Sequence, residues 1–339
     1  MEPVNSLMWC LGVLTLLFST AEGFFSRTQD HGPDMGSDQG RKIVFIFSKA
    51  RSASSMTSRL FDLNPEFLHF LEPFAAWKER RSSERSLAAD VDFMERLVDC
   101  KLTAEEVYSV VTQGVSVPSD LKSQRMPSTS AADALAGLCA GRHIAVKTIR
   151  LSSLSPLCEL QRRLKTRGDK VYVVDSYRDP RAVVASLMES GHSALSKIPE
   201  NQRIKKMSES ACQHMAARFQ ASTNQCRTLS TYSLQNEHFF RDPVTEGNKL
   251  YGFIGLEMPS EVRDALVAKA RAPVAARGDG ANATEEDQPG KPMPREEMEE
   301  EAPKAPSWSG SMSKAQAQQV QGVCQRIMPK ELFRMVFVD

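Results

Sequence analysis

Residues 42–60, KIVFIFSKARSASSMTSRL, limit what this chain can fold into more than any other stretch. Ile43-Val44-Phe45-Ile46-Phe47 is a short run of aliphatic, β-branched and aromatic residues, the pattern of a buried strand. Small residues follow with two cations among them: Ser48, Lys49, Ala50, Arg51, Ser52, Ala53, Ser54 and Ser55. The chain then turns helical through Met56-Thr57-Ser58-Arg59-Leu60, with Ser54 expected at the N-cap. A strand feeding a small-residue loop and a helix N-terminus makes an anion site. First-turn N–H groups are unpaired, the helix dipole favours negative charge, and Arg51 adds charge-assisted hydrogen bonds. An ordinary βα turn shares these features, so the anion reading needs a second phosphate-binding element elsewhere in the chain.

The rest of the chain alternates strands with helices. Residues 66–71 read as a second short strand, and Pro73, which cannot continue a central ladder, leaves Glu72 at its end. Helical spacing covers 87–97, 103–111 and 131–139. A strand is expected at 143–147, a helix at 154–164, a strand at 170–175 and a helix at 180–188. Further on come a long helix at 202–220, a weaker strand at 227–232, and helices at 244–254, 261–271 and 315–328. Apolar strands alternating with helices predict an α/β domain of P-loop-like, three-layer type: a central parallel sheet flanked by helices. The domain is expected over 42–271, completed by 307–339. With 41% hydrophobic and 25% charged residues the composition is globular, and a net charge of +1 gives no field that would attract nucleic acid.

Three segments fall outside that domain. Residues 7–18, LMWCLGVLTLLF, carry no charge, and Ala21-Glu22-Gly23 offers small residues in a cleavage-like spacing. Residues 1–23 are therefore expected to be a signal peptide, or an uncleaved signal-anchor that holds the chain at a membrane. Residues 24–41 are polar and Gly-rich and read as a stem. Residues 272–306 are dominated by Ala, Gly, Pro and Glu and are expected to be a disordered acidic insertion, with a glycosylation sequon at Asn282-Ala283-Thr284. Beyond the leader stand Cys100, Cys139, Cys158, Cys212, Cys226 and Cys324, an even set without CxxC pairs. Such a set fits disulfides in an oxidising lumen better than a metal site. The pairs expected are Cys100–Cys139 and Cys212–Cys226, each closing a local loop.

The second anion element follows the strongest strand: Ser176-Tyr177-Arg178-Asp179-Pro180-Arg181-Ala182-Val183, with Ser186 on the helix that leaves it. Pro180 suits a first helical turn, and Arg178 sits at a strand's C-terminal end, where open α/β sheets bind ligands. With both elements in view, the chain resembles the Golgi carbohydrate sulfotransferases, particularly the galactose and N-acetylglucosamine 6-O branch. Arg51-Ser52-Ala53-Ser54-Ser55 matches that family's RSGSS loop, and Tyr177-Arg178-Asp179-Pro180-Arg181-Ala182-Val183 with Ser186 matches its VRDPRAV element. Glu72-Pro73 and Lys147-Thr148-Ile149-Arg150 match its Glu-Pro and Lys-x-x-Arg. Tyr232-Ser233-Leu234, residues 250–256, Trp308 and Cys324 echo its later segments. Four places depart from the pattern: Ala53 replaces a glycine, Tyr177 replaces an aliphatic residue, Ser233 stands where the family usually has Glu, and the Trp308 region lacks the arginine that usually follows.

The resemblance implies a sulfotransferase fold and transfer of a sulfuryl group from 3′-phosphoadenosine 5′-phosphosulfate (PAPS) to a carbohydrate hydroxyl, a sugar 6-OH on a glycoprotein or proteoglycan chain. It implies a Golgi-lumen enzyme, membrane-anchored or, with the leader cleaved, soluble. Arg51, Ser52, Ala53, Ser54, Ser55 and Met56 would hold the 5′-phosphosulfate, and Arg178 and Ser186 the 3′-phosphate. Glu72 would be the general base, with a capping or ion-paired carboxylate as its structural alternative; Lys147 would face the acceptor or the sulfuryl group, with a rim ion pair as the alternative. Lys78, Arg80, Arg81 and Arg85 would steer a sulfated glycan or form a solvated helix face. No metal-ligand spacing occurs among the histidines, and no metal is expected. Two other readings stay open. One is a P-loop kinase or nucleotide hydrolase, although the loop has no glycine and puts Arg51 in place of the Walker lysine. The other is a non-catalytic relative that binds a glycan or protein.

Overall fold

The apolar run after Arg41 forms β1 (Lys42–Phe47), which is buried at every position. It is the middle strand of a five-stranded sheet with β2 (Phe67–Leu71), β3 (His143–Thr148), β4 (Lys170–Tyr177) and β5 (Ser230–Gln235), in the order β2-β3-β1-β4-β5. Every pairing is parallel. The structure, a computed structural model, describes residues 40–49, 51–75, 86–112, 128–151, 153–190, 198–224, 229–271 and 308–337. The expected leader, most of the stem, the 272–306 insertion with its sequon, and the cations at 78–85 lie outside them. No described helix is long and apolar enough to cross a membrane.

Helices cover both faces. α1 (Ser54–Asp62) follows β1; α2 (Leu87–Val98), α3 (Ala104–Thr112) and α4 (Ser128–Cys139) lie between β2 and β3; α5 (Ser155–Leu164) leads to β4. Beyond β4 come α6 (Pro180–Glu189) and α7 (Glu200–Asn224), and beyond β5 come α8 (Asn236–Arg241), α9 (Pro243–Ile254) and α10 (Ser260–Arg271). α11 (Lys314–Ile327) and α12 (Lys330–Val336) complete the fold. Successive strand residues point to opposite faces, so β1 divides its side chains. Ile43, Phe45 and Phe47 join the core under α2–α5, while Val44 and Ile46 join Leu60, Phe61, Phe239, Leu250 and Val262 under α1 and α8–α10. A third cluster joins α6, α7, α11 and α12 through Val183, Met215, Val320 and Leu332. The expected α/β fold, a parallel sheet between helical layers, is the observed one.

Local chemistry sets the helix starts. Asp179 caps α6 by accepting the Arg181 N–H, and Asp242 caps α9 through Thr245, each followed by Pro at the first helical position. Ser313 and Gln316 form a capping box at the start of α11. Two features differ from the sequence reading. β5 lies three residues later than expected, and α8 and α12 were not foreseen. The disulfides also differ in part. Cys100–Cys139 is present, but Cys212 bonds Cys324 and not Cys226, because α7 packs against α11 and brings those two sulfurs together. Cys158 is also disulfide-bonded, and Cys226 lies outside the described residues.

Candidate functional site

Parallel register brings the five strand ends to one edge. Leu71 pairs with Lys147, Phe47 with Thr148 and with Asp175, and Tyr177 with Gln235. The chain runs from β1 to β2 and β3 on one side and then to β4 and β5 on the other. The loops after β1 and β4 therefore flank the point where strand order reverses, the place where open α/β sheets bind ligands.

The loop after β1 departs from the expected capping. Ala53, not Ser54, is the N-cap of α1, in the left-handed region at φ 59°, and makes no side-chain cap bond. Arg51 is left-handed too, at φ 69°. An alanine has no oxygen with which to cap, so this helix start spends none of its first-turn N–H groups on its N-cap side chain. Ser54, buried inside the helix start, bonds through its Oγ to Ser48 Oγ at 2.6 Å. The Ser52 N–H and Oγ–H both donate to the Lys49 carbonyl, which closes the turn. Ser55 is exposed and Met56 half-buried.

The two loops expected to bind anions touch each other. Arg51 Nε donates to Ser186 Oγ at 2.9 Å, and Arg178 donates from a terminal guanidinium nitrogen to the Arg51 carbonyl at 2.9 Å. Residues 127 and 135 positions apart thus meet in one place. Asp179 and Arg181, both buried, pair at 2.7 Å beneath this turn, and the Arg181 guanidinium lies 4.7 Å from the Trp308 ring centroid. Tyr177 is fully buried; its hydroxyl donates to Asp175, which in turn pairs with buried Arg218. Arg218 also donates to the Phe47 carbonyl at 3.0 Å, so the ends of β1 and β4 share one cation.

Glu72 and Lys147 also meet. Lys147 Nζ donates to Glu72 Oε1 at 2.6 Å, and the Ile149 N–H to Oε2 at 3.2 Å. Glu72 has φ 55°, a left-handed backbone at the strand end that turns its carboxylate toward β3. Both carboxylate oxygens are engaged, the arrangement of an ion-paired group. Arg150 is exposed at the rim.

Four further residues at this edge were not singled out from the sequence. Asn236, fully buried at the start of α8, donates through Nδ2 to the Ser52 carbonyl, to Ser176 Oγ at 2.8 Å and to the Tyr177 carbonyl at 2.9 Å. One amide thereby ties the loop after β1 to the loop after β4. Glu237 beside it accepts the Asp179 N–H at 2.9 Å, and burial pushes its carboxyl up to about 7. Ser233, at the position expected for a glutamate, is exposed in β5; Glu237, just past the strand end, adds a carboxylate beside Asp179. The later register of β5 is what places Asn236 and Glu237 here. Lys49 donates to the Ser210 carbonyl and hydroxyl on α7, and burial, with Arg218 adding, brings it down to about 8. The fourth, Arg218, lies on the same helix as Ser210.

No protein-family profile matches the chain, and no curated protein does. Solved structures do. The sulfotransferase domain from the curacin biosynthetic pathway is similar at 17% identity over 66% of this chain and 77% of that one, with a TM-score of 0.41. A sulfotransferase from Mycobacterium tuberculosis H37Rv is similar at 16% identity over 68% and 71%, with a TM-score of 0.40. One from Alicyclobacillus acidocaldarius is similar at 14% identity over 68% and 92%, with a TM-score of 0.34. All three are sulfotransferases by name, and similarity of that degree leaves the chemistry of this chain to its own residues.

Proposed function

We propose that the chain transfers a sulfuryl group from PAPS to a carbohydrate hydroxyl, inside an oxidising compartment of the secretory pathway. The observation that carries this reading is the meeting of Arg51, Arg178 and Ser186. Two elements with the residue types of a phosphosulfate loop and a 3′-phosphate loop, far apart in sequence, are hydrogen-bonded to each other at the strand-order reversal. The Cys100–Cys139 and Cys212–Cys324 bridges support the oxidising compartment.

The residues fit the group. A helix start whose N-cap side chain makes no cap bond, preceded by left-handed residues at Arg51 and Ala53, is a cradle for an anion. PAPS would supply the sulfuryl group, with 3′-phosphoadenosine 5′-phosphate as the leaving group. Arg51 and the N–H groups of Ser54 and Ser55 stabilise charge on the leaving side, the Ser52 and Met56 N–H groups being spent on the Lys49 and Ala53 carbonyls, while Arg178 and Ser186 take the second phosphate. Such catalysis rests on positioning and charge neutralisation. Glu72, held by Lys147, takes the acceptor proton, and Lys147 keeps that carboxylate oriented.

The test is transfer of radiolabelled sulfate from PAPS to a panel of desulfated glycosaminoglycans and N-acetyllactosamine chains, beside calorimetry with the desulfated nucleotide, 3′-phosphoadenosine 5′-phosphate. Binding of that nucleotide and labelled product are expected. Folded protein that binds neither it nor ATP ends the nucleotide reading, and preference for ATP favours a kinase. One observation favours a non-catalytic binding protein: both Glu72 oxygens are already engaged. Glu72→Gln separates the two, since it abolishes transfer with nucleotide binding kept if Glu72 is the base. An unchanged transfer rate removes Glu72 from that role.

A further inference from the structure

Glu237 has a feature that the roles above leave unused. Its Oε1 is fixed by the Asp179 N–H at 2.9 Å, but its Oε2 is buried and has no hydrogen-bond partner among the described residues. An acceptor oxygen withdrawn from water without a donor is costly, and costlier still when it carries charge. The charged groups that face it are Arg178 and Asp179, and Asp179 is itself paired with Arg181 at 2.7 Å. Arg178 is the cation assigned above to the 3′-phosphate, and the inference rests on that assignment.

A dianionic phosphate drawn onto Arg178 arrives beside the Glu237 carboxyl. Two like charges cannot both persist at close range in a water-poor site, so one group takes a proton. A protonated carboxyl changes from acceptor to donor, and a hydrogen bond from it to a phosphate oxygen is of the short, charge-assisted kind. We propose that Glu237 is a further binding residue for the phosphate on Arg178, acting as the neutral acid with its Oε2–H donated to a phosphate oxygen, so that nucleotide binding takes up a proton.

The proton is within reach at neutral pH. Burial first, and then the Asp179 charge, hold Glu237 up near 7 against the opposing pulls of its backbone hydrogen bonds and of Arg178. The sign follows. Where the carboxyl is already protonated, binding needs no proton and affinity is highest. As pH rises above 7 the proton must be taken from solution, and affinity falls by about tenfold for each unit by which the bound carboxyl lies above the free one. The ligand's own phosphate, with a second ionisation near 6, acts the other way and weakens binding as pH falls.

The experiment is calorimetric titration of the full chain with 3′-phosphoadenosine 5′-phosphate at pH 6.5 and 8.0, in paired buffers of different ionisation enthalpy. The wild type is expected to lose roughly tenfold in affinity between the two and to take up a proton on binding. Glu237→Gln keeps an acceptor for the Asp179 N–H and carries a permanent donor. It is expected to bind at pH 8.0 as tightly as wild type does at pH 6.5, with a flat profile and reduced proton uptake. Equal proton uptake and equal pH profiles in wild type and variant, with both binding, overturn the role of Glu237. Failure of the folded wild type to bind at either pH overturns the PAPS reading itself, and this inference with it.

Discussion

Ala53 holds φ 59° in the loop that would cradle the phosphosulfate, a conformation that costs a residue with a Cβ about 1–2 kcal/mol. Glycine would relieve that strain and return roughly 0.5–1 kcal/mol through the unfolded chain. Ala53→Gly is therefore expected to raise the melting temperature by about 1–3 °C without loss of nucleotide affinity. A lower melting temperature in differential scanning calorimetry would show that the alanine methyl contributes packing that outweighs its strain. Arg51 is tested by a pair of variants. Arg51→Ala removes both the Ser186 bond and the cation and should weaken binding of 3′-phosphoadenosine 5′-phosphate by ten- to a hundredfold, the range for hydrogen bonds to charged groups at about 1.5–3 kcal/mol. Arg51→Lys restores the charge but not the planar fork, so it should recover only part of that loss. Full recovery with lysine would show that charge alone matters.

At the scale of elements, Asn236 joins the loops after β1 and β4, and its removal strands several buried acceptors at once. Asn236→Ala is expected to cost roughly 1–3 kcal/mol in urea unfolding and to weaken nucleotide binding further. An unaltered midpoint and affinity would show that water replaces the amide without consequence. Asn236 and Glu237 also mark where the sequence stopped being legible. β1, β3 and β4 are apolar runs buried on both faces, and such strands announce themselves. β5, STYSLQ, lies at the sheet edge and is buried only at its last two residues, so its polar sequence does not fix its register. A three-residue error there hid the two side chains that follow it. The N-cap of α1 was misread for a related reason: a left-handed alanine has no sequence signature, and the neighbouring serine looked the better cap. The Arg51, Arg178 and Ser186 constellation was legible as parts; only the fold shows that the parts touch.

Over the whole molecule, partner choice among cysteines is set by packing between distant helices, so local spacing pointed Cys212 to the wrong sulfur. The Cys212–Cys324 bridge spans 112 residues and joins two fully buried positions on α7 and α11. In the chain-entropy account, closing a loop of that size stabilises the fold by about 4–5 kcal/mol. The double variant C212A/C324A should lose stability of that order in denaturant titrations, and an unchanged midpoint would show that the helix packing alone holds the C-terminal piece. The bridge also decides what a cut chain becomes. Residues 272–306 lie wholly inside the covalent ring, so hydrolysis of any peptide bond there opens the ring without releasing either part. Trypsin acting at Arg277 or Arg295 is expected to give one band on a non-reducing gel and two on a reducing one, with α11 and α12 retained. Proteolysis in that stretch would thus convert a single polypeptide into a sulfur-linked heterodimer.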